Sequence, residues 1–129
     1  MKSTQTHIAL ADDEKRIRQT VSLMLRRAGY QVSISETGEQ LLSLVLAARA
    51  TDSPVDLVLC DINMPGISGQ QVLRELNTSG AGMPVIMMTG LSDDVLIAEF
   101  EAAGCNYFLF KPFTPEELLA TVAKANKWE

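Results

Sequence analysis

The chain predicts a doubly wound α/β fold, a five-stranded parallel sheet with helices on both faces. Three observations carry this. Short apolar runs alternate with longer amphipathic stretches along the whole sequence. The run Leu57-Val58-Leu59-Cys60 shows no in–out alternation, as a strand buried on both faces should not. The connections are short and polar, which suits right-handed crossovers between parallel strands.

The elements follow in order. His7 to Ala11 reads as a strand ending in Asp12-Asp13. Ile17, Val21, Met24, Leu25 and Ala28 then recur at helical spacing on one face. Gly29 stops that helix, as glycine does just past a helix end. Gln31 to Ser35 alternates around Val32 and Ile34 and reads as the second strand. Thr37-Gly38 opens a helix rich in leucine and alanine that runs to about Ala50. Thr51-Asp52-Ser53-Pro54 is a loop, and Leu57 to Asp61 is the third strand. A Pro-Gly turn leads into a helix from about Ser68 to Asn77, with Val72, Leu73 and Leu76 inward. Ser79 to Gly82 is a loop. Pro84 opens the fourth strand, Val85-Ile86-Met87-Met88, which ends at Thr89-Gly90. Ser92-Asp93-Asp94 starts a helix whose inward residues are Leu96, Ile97 and Phe100, and Gly104 ends it. Tyr107 to Phe110 is the fifth strand, stopping at Lys111-Pro112. Thr114-Pro115-Glu116-Glu117 supplies a threonine cap, a proline at the first position and an acid three residues after the cap. Leu118, Leu119 and Val122 face inward on that last helix.

Residues 1–129 read as a single domain, and at 47% hydrophobic they can bury a sizeable core. The net charge of -5 and the lack of a basic run argue against nucleic-acid binding, which needs clustered Lys and Arg. Cys60 and Cys105 have no metal or redox spacing, and Cys60 reads as a small hydrophobe. Met1 to His7 lacks an apolar signal core, and no stretch is long enough to span a membrane. The expectation is a soluble cytoplasmic protein.

In such a sheet all strands run one way, so their carboxyl ends share an edge, where ligands bind. Asp12 and Asp13 end the first strand, Asp61 the third, Thr89 the fourth and Lys111 the fifth. The flavodoxin-like (βα)5 strand order sets the first, third, fourth and fifth strands side by side. Three carboxylates, a hydroxyl and an ammonium then surround one crevice. Three adjacent carboxylates repel one another and call for a cation. Hard oxygen ligands without histidine or cysteine select magnesium, calcium or manganese; magnesium keeps several waters and uses few carboxylates plus phosphate oxygens. Lys111 can hold a phosphate, or pair with Asp61 when none is present. Thr89 offers a hydroxyl donor to a phosphoryl oxygen. An aspartate carboxylate can itself accept a phosphoryl group, and such transfer mainly needs position and charge neutralisation.

With Asp12-Asp13, Asp61-Ile62-Asn63-Met64-Pro65-Gly66-Ile67-Ser68-Gly69, Thr89-Gly90 and Phe110-Lys111-Pro112-Phe113 in this order and spacing, the chain resembles the receiver domains of two-component response regulators. The likeness extends to the free-standing chemotaxis regulators and covers nearly the whole length. It implies a phosphoryl-accepting switch that promotes its own phosphorylation and slow dephosphorylation. Asp61 would be phosphorylated from a histidine kinase or histidine phosphotransfer protein. Asp13, Asp61 and the backbone carbonyl of Asn63 would bind Mg2+, with Asp12 acting largely through water. Thr89 and Lys111 would bind the phosphoryl oxygens, and the Lys111-Pro112 peptide would be cis. Thr89 and Phe108 would form a switch read on the face of the fourth helix, fifth strand and fifth helix by an output partner or effector domain. Two departures stand out: Phe108 takes a place where many members have tyrosine, and Tyr107 one where an acid is frequent.

Each residue also has a plainer reading. Asp12-Asp13 could cap a helix, since acids favour helix N-termini. Thr89 could be an ordinary helix-approach residue and Lys111 a surface lysine. Met83, Met87 and Met88 are expected to fill the core or its edge. His7, the only histidine, is taken as incidental, and Trp128 as half packed on the last helix. Two other functions compete with the switch. A Mg2+-dependent phosphohydrolase with an aspartyl nucleophile commonly carries a second carboxylate two residues on, as general acid. Here Asn63 stands there. A degenerate receiver used only for docking would not need Asp13, Asp61, Thr89 and Lys111. Asn63 and Leu91 are the loop residues expected to border the path of the water that removes the phosphoryl group.

Overall fold

The computed structural model describes residues 5–64, 66–79, 82–90 and 94–126. Ser92, Asp93, Leu91 and Trp128, on which a helix start, the water path and a packing contact were expected, lie outside them. Five strands alternate with five helices: β1 His7–Ala11, α1 Lys15–Arg27, β2 Gln31–Ser35, α2 Gly38–Ala48, β3 Leu57–Asp61, α3 Gly69–Thr78, β4 Val85–Thr89, α4 Asp94–Ala102, β5 Tyr107–Phe110 and α5 Pro115–Ala125. All pairings are parallel and the strand order is β2-β1-β3-β4-β5, the doubly wound arrangement expected.

Central and edge strands differ in the way their sequences imply. Every residue of β1, β3 and β4 is buried, because helices cover both faces. The edge strands β2 and β5 are only partly covered. Alternate side chains feed two cores. On one face Ala9, Val58, Cys60 and Met87 meet Leu41 and Val45 of α2, Val72 and Leu76 of α3 and Phe100 of α4. On the other face Ile8, Leu10, Leu59, Ile86 and Met88 meet Val21 and Leu25 of α1 and Leu118 and Val122 of α5. Met87 and Met88 are thus core residues, and Met83 packs at the margin.

The helix ends follow local chemistry. The side chains of Thr37, Ser68 and Thr114 accept from Gln40 N, Gln71 N and Glu117 N, and Thr114 with Glu117 completes a capping box. Gly29 has φ +97°, the left-handed turn that a side chain would resist.

Four expectations need correction. Ala28 is the exposed C-cap of α1, not part of its inner face, because the chain is already leaving the helix there. α2 ends at Ala48, with Arg49 as its C-cap. In α4 Phe100 is buried and Leu96, half-buried, packs against the same core, but Ile97 is only half-buried and Val95 is 72% exposed. His7 is not incidental. Its ring is buried at the edge opposite the carboxyl ends, with Nδ1 2.8 Å from the Ser53 carbonyl and Nε2 2.7 Å from Ser33 Oγ. A carbonyl only accepts, so Nδ1 donates to it and Nε2 accepts from the serine hydroxyl. His7 N also donates to Asp56 Oδ2 at 2.9 Å, so this residue ties β1 to β2 and to the segment before β3. No helix among the described residues is long and apolar enough to cross a membrane.

Candidate functional site

β1 and β3 are neighbours, with Ala11 level with Cys60, so the next residues along each strand reach the same edge. Asp12, Asp13 and Asp61 meet there, each offering a carboxylate oxygen, with these oxygens all within 4.8 Å of one another. Their surroundings differ. Asp12 is fully buried, Asp61 is buried, and Asp13 is exposed. β4 is joined to β3 by Asp61 level with Met88, which sets Thr89 one strand over. Thr89 is buried at the end of β4, and its carbonyl accepts from Lys111 N at 2.7 Å, which anchors the start of the lysine loop.

The lysine lies between two carboxylates. Its Nζ is 3.0 Å from Asp12 Oδ2 and 3.5 Å from Asp61 Oδ2. The expected pairing with Asp61 is therefore present, but the shorter contact goes to Asp12. Asp12 Oδ1 also accepts from Glu14 N at 2.8 Å, so this carboxylate is held on both oxygens. Asp61 Oδ1 faces Asn63 N at 3.4 Å, and Asn63 is exposed at the mouth. Lys111-Pro112 is cis.

The electrostatics follow from the crowding. Burial pushes the Asp61 carboxyl above its ordinary range, and the charge of Asp12 adds to this; Lys111 and the Asn63 N–H only partly offset them. Burial draws the Lys111 ammonium down, but its hydrogen bond to Asp12 and the nearby carboxylates outweigh that and leave it raised. Three carboxylates against one ammonium leave the crevice acidic. A hard divalent cation fits this oxygen-only donor set. Asp12 is held closely on both oxygens, whereas the contacts of Asp61 are longer and Asp13 is exposed, so Asp13 and Asp61 would be the freer to take a cation directly.

Phe108 stands apart from the carboxylates. It pairs with Met87 across the sheet and lies half-buried, its ring edge against Phe100 of α4 at 6.4 Å between centroids. One residue was missed from the sequence. Arg18 of α1 donates from Nη1 to the Asp12 carbonyl at 2.9 Å. Only its spacing, about one and a half helical turns after Asp13, could have suggested it.

A family model for the response regulator receiver domain matches residues 8–123. The chain belongs to the response regulator receiver domain family. This receiver is 37% identical over 121 residues to the C4-dicarboxylate transport transcriptional regulatory protein DctD of Pseudomonas aeruginosa, covering 94% of this chain and 25% of that protein. It is 31% identical over 121 residues to the transcriptional regulatory protein ResD of Bacillus subtilis, covering 94% of this chain and 48% of that protein. The receiver thus spans between a quarter and a half of these two curated relatives. Among solved structures, the chemotaxis response regulator CheY4 of Vibrio cholerae matches with a TM-score of 0.83 at 30% identity, covering 95% of this chain and 99% of that one. Receivers of this family interact with histidine kinases and generally bind Mg2+.

Proposed function

We propose that this receiver is a cytoplasmic phosphoryl-accepting switch, with Asp61 as the accepting residue. The observation that carries the reading is the Lys111 ammonium held between Asp12 and Asp61 beside an exposed third carboxylate. An Asp61 oxygen attacks the phosphorus of a phosphohistidine on a kinase or phosphotransfer protein. The new P–O bond forms as the P–N bond breaks, and the donor imidazole keeps the electron pair. Asp13, Asp61 and the Asn63 carbonyl would hold Mg2+, with Asp12 acting through water. A cation held by these residues would supply charge neutralisation for the phosphoryl oxygens. Lys111 shifts from the carboxylates to one phosphoryl oxygen, and Thr89 donates to another. Phosphorylation adds about -1.5 to -2 charges, and the inward move of Thr89 draws Phe108 with it. The output partner or effector domain reads the face of α4, β5 and α5, where Val95 and Phe110 are exposed.

Acetyl phosphate with Mg2+ should add one phosphoryl group, measured by intact mass, and Asp61→Asn should abolish it. Phosphate-release kinetics separate the competing functions. A lasting adduct supports the switch, turnover supports a phosphohydrolase, and neither supports a docking module. Normal phosphorylation of Asp61→Asn would sink the assignment.

A further inference from the structure

We propose that Arg18 is a positioning residue for the cation site, acting through the Asp12-Asp13 peptide. This rests on the reading of the three carboxylates as a Mg2+ site.

Arg18 sits early in α1, where a cation opposes the helix dipole, and α1 has no acid in its first turn. Its side chain is only 14% exposed. A guanidinium so largely shielded from water needs strong partners. Among the described residues it has the Asp12 carbonyl at 2.9 Å and Glu36 Oε1 at 4.0 Å, and Glu36 is itself largely exposed. The placement is therefore poor for helix stability and good for gripping one carbonyl.

That carbonyl belongs to the peptide linking Asp12 to Asp13. Asp12 N donates to Ser35 O at 3.3 Å, and the Asp12 carboxylate is held by Glu14 N and Lys111. Asp13 is different: no hydrogen bond or ion pair holds its carboxylate among the described residues. Its direction is set by the backbone, and Arg18 fixes the peptide plane just before it. Without Arg18 that plane can turn and Asp13 swings away from Asp61.

Charge and position make opposite forecasts here. Removing a cation beside a Mg2+ site should tighten Mg2+ binding if Arg18 acts through its charge. Removing a positioning group should weaken it, and outer-shell substitutions typically cost tenfold or more in metal affinity.

The experiment titrates Mg2+ alone into wild type, Arg18→Met, Arg18→Lys and Asp13→Asn by calorimetry, with melting temperatures recorded without metal. Wild type should bind Mg2+, Asp13→Asn should lose binding, and Arg18→Met should bind about tenfold more weakly. Arg18→Lys keeps the charge but loses the planar fork, and should fall between. A purely structural role would lower the melting temperature of Arg18→Met and leave its Mg2+ affinity unchanged. Unchanged or tighter binding overturns the inference while the cation site stands. If Arg18→Met does not fold, Arg18→Lys decides: weaker binding supports the role and wild-type affinity overturns it. If wild type and Asp13→Asn bind Mg2+ alike, the cation reading falls and this inference with it.

Discussion

Lys111 Nζ lies closer to Asp12 than to Asp61, at 3.0 Å against 3.5 Å. The lysine is therefore stored on the carboxylate that is fully buried, and Asp61, the proposed acceptor, is the less tightly held of the two. Breaking a buried pair from one side leaves the other charge unpaired, which typically costs about 3 kcal/mol or more, less with partial exposure. Lys111→Met should thus lower stability at neutral pH by roughly 1–3 kcal/mol in urea unfolding as well as block phosphoryl acceptance. Asp12→Asn combined with Lys111→Met should recover part of the loss. Independent, additive losses would show that the pair is not coupled.

Asp61 makes a pH-dependent forecast. Its carboxyl is raised by burial and by Asp12, so ionisation costs the metal-free fold. An acid whose folded pKa is raised favours the fold where it is protonated, and that advantage is lost as pH rises through the folded value. Asp61→Asn should therefore raise the melting temperature of the metal-free protein at neutral pH. The gain should shrink as pH falls through the acid range. A gain that persists below the ordinary carboxyl range would point to another cause.

Phe108 of β5 touches α4 through Phe100. Their edge-to-face contact is the one described aromatic pair, and Phe100 is the single buried residue of α4. Phe100→Ala should cost about 3–5 kcal/mol. In the milder Thr89→Ala variant, phosphorylation should still occur, but the amide shifts it produces at Phe108 and along α4 should disappear. Shifts confined to the loops around Asp61 in wild type would instead indicate a rigid domain. For the proposed switch, the resting and phosphorylated positions of Thr89 and Phe108 must lie within a few kcal/mol for phosphorylation to exchange their populations.

His7 offers a control at the opposite edge. His7→Ala removes both ring hydrogen bonds and leaves part-buried partners, so stability should drop by about 1–2 kcal/mol. Phosphorylation of the folded fraction should be unaffected. A selective loss of phosphoryl acceptance would mean that the two edges are coupled.

Much of this was legible beforehand for physical reasons. β1, β2, β3 and β5 have the expected bounds because turn residues bracket each run. Asp12, Asp13, Asp61 and Lys111 could be placed together because parallel strands bring their carboxyl ends to one edge. What stayed hidden depends on side-chain reach across elements. His7 looks incidental until Ser33 and Ser53 fold against it. The helical period of α4 suggested three inward residues, yet only Phe100 is fully buried, with Leu96 half-buried against the same core. Arg18 carries no signal in the sequence beyond its spacing, and only the folded chain brings it to the Asp12 carbonyl.

Both cysteines are buried, and burial pushes both thiols above their ordinary range. The native protein should therefore ignore thiol reagents, which attack the thiolate. Cys60 sits in the central strand β3, whereas Cys105 lies just past α4 and donates to the Val85 carbonyl at 3.3 Å. The chain carries two internal clocks for opening. Alkylation at Cys60 times disruption of the sheet, and alkylation at Cys105 times release of the α4 end. The ratio of the two labelling rates reads how independently α4 moves, without any added probe.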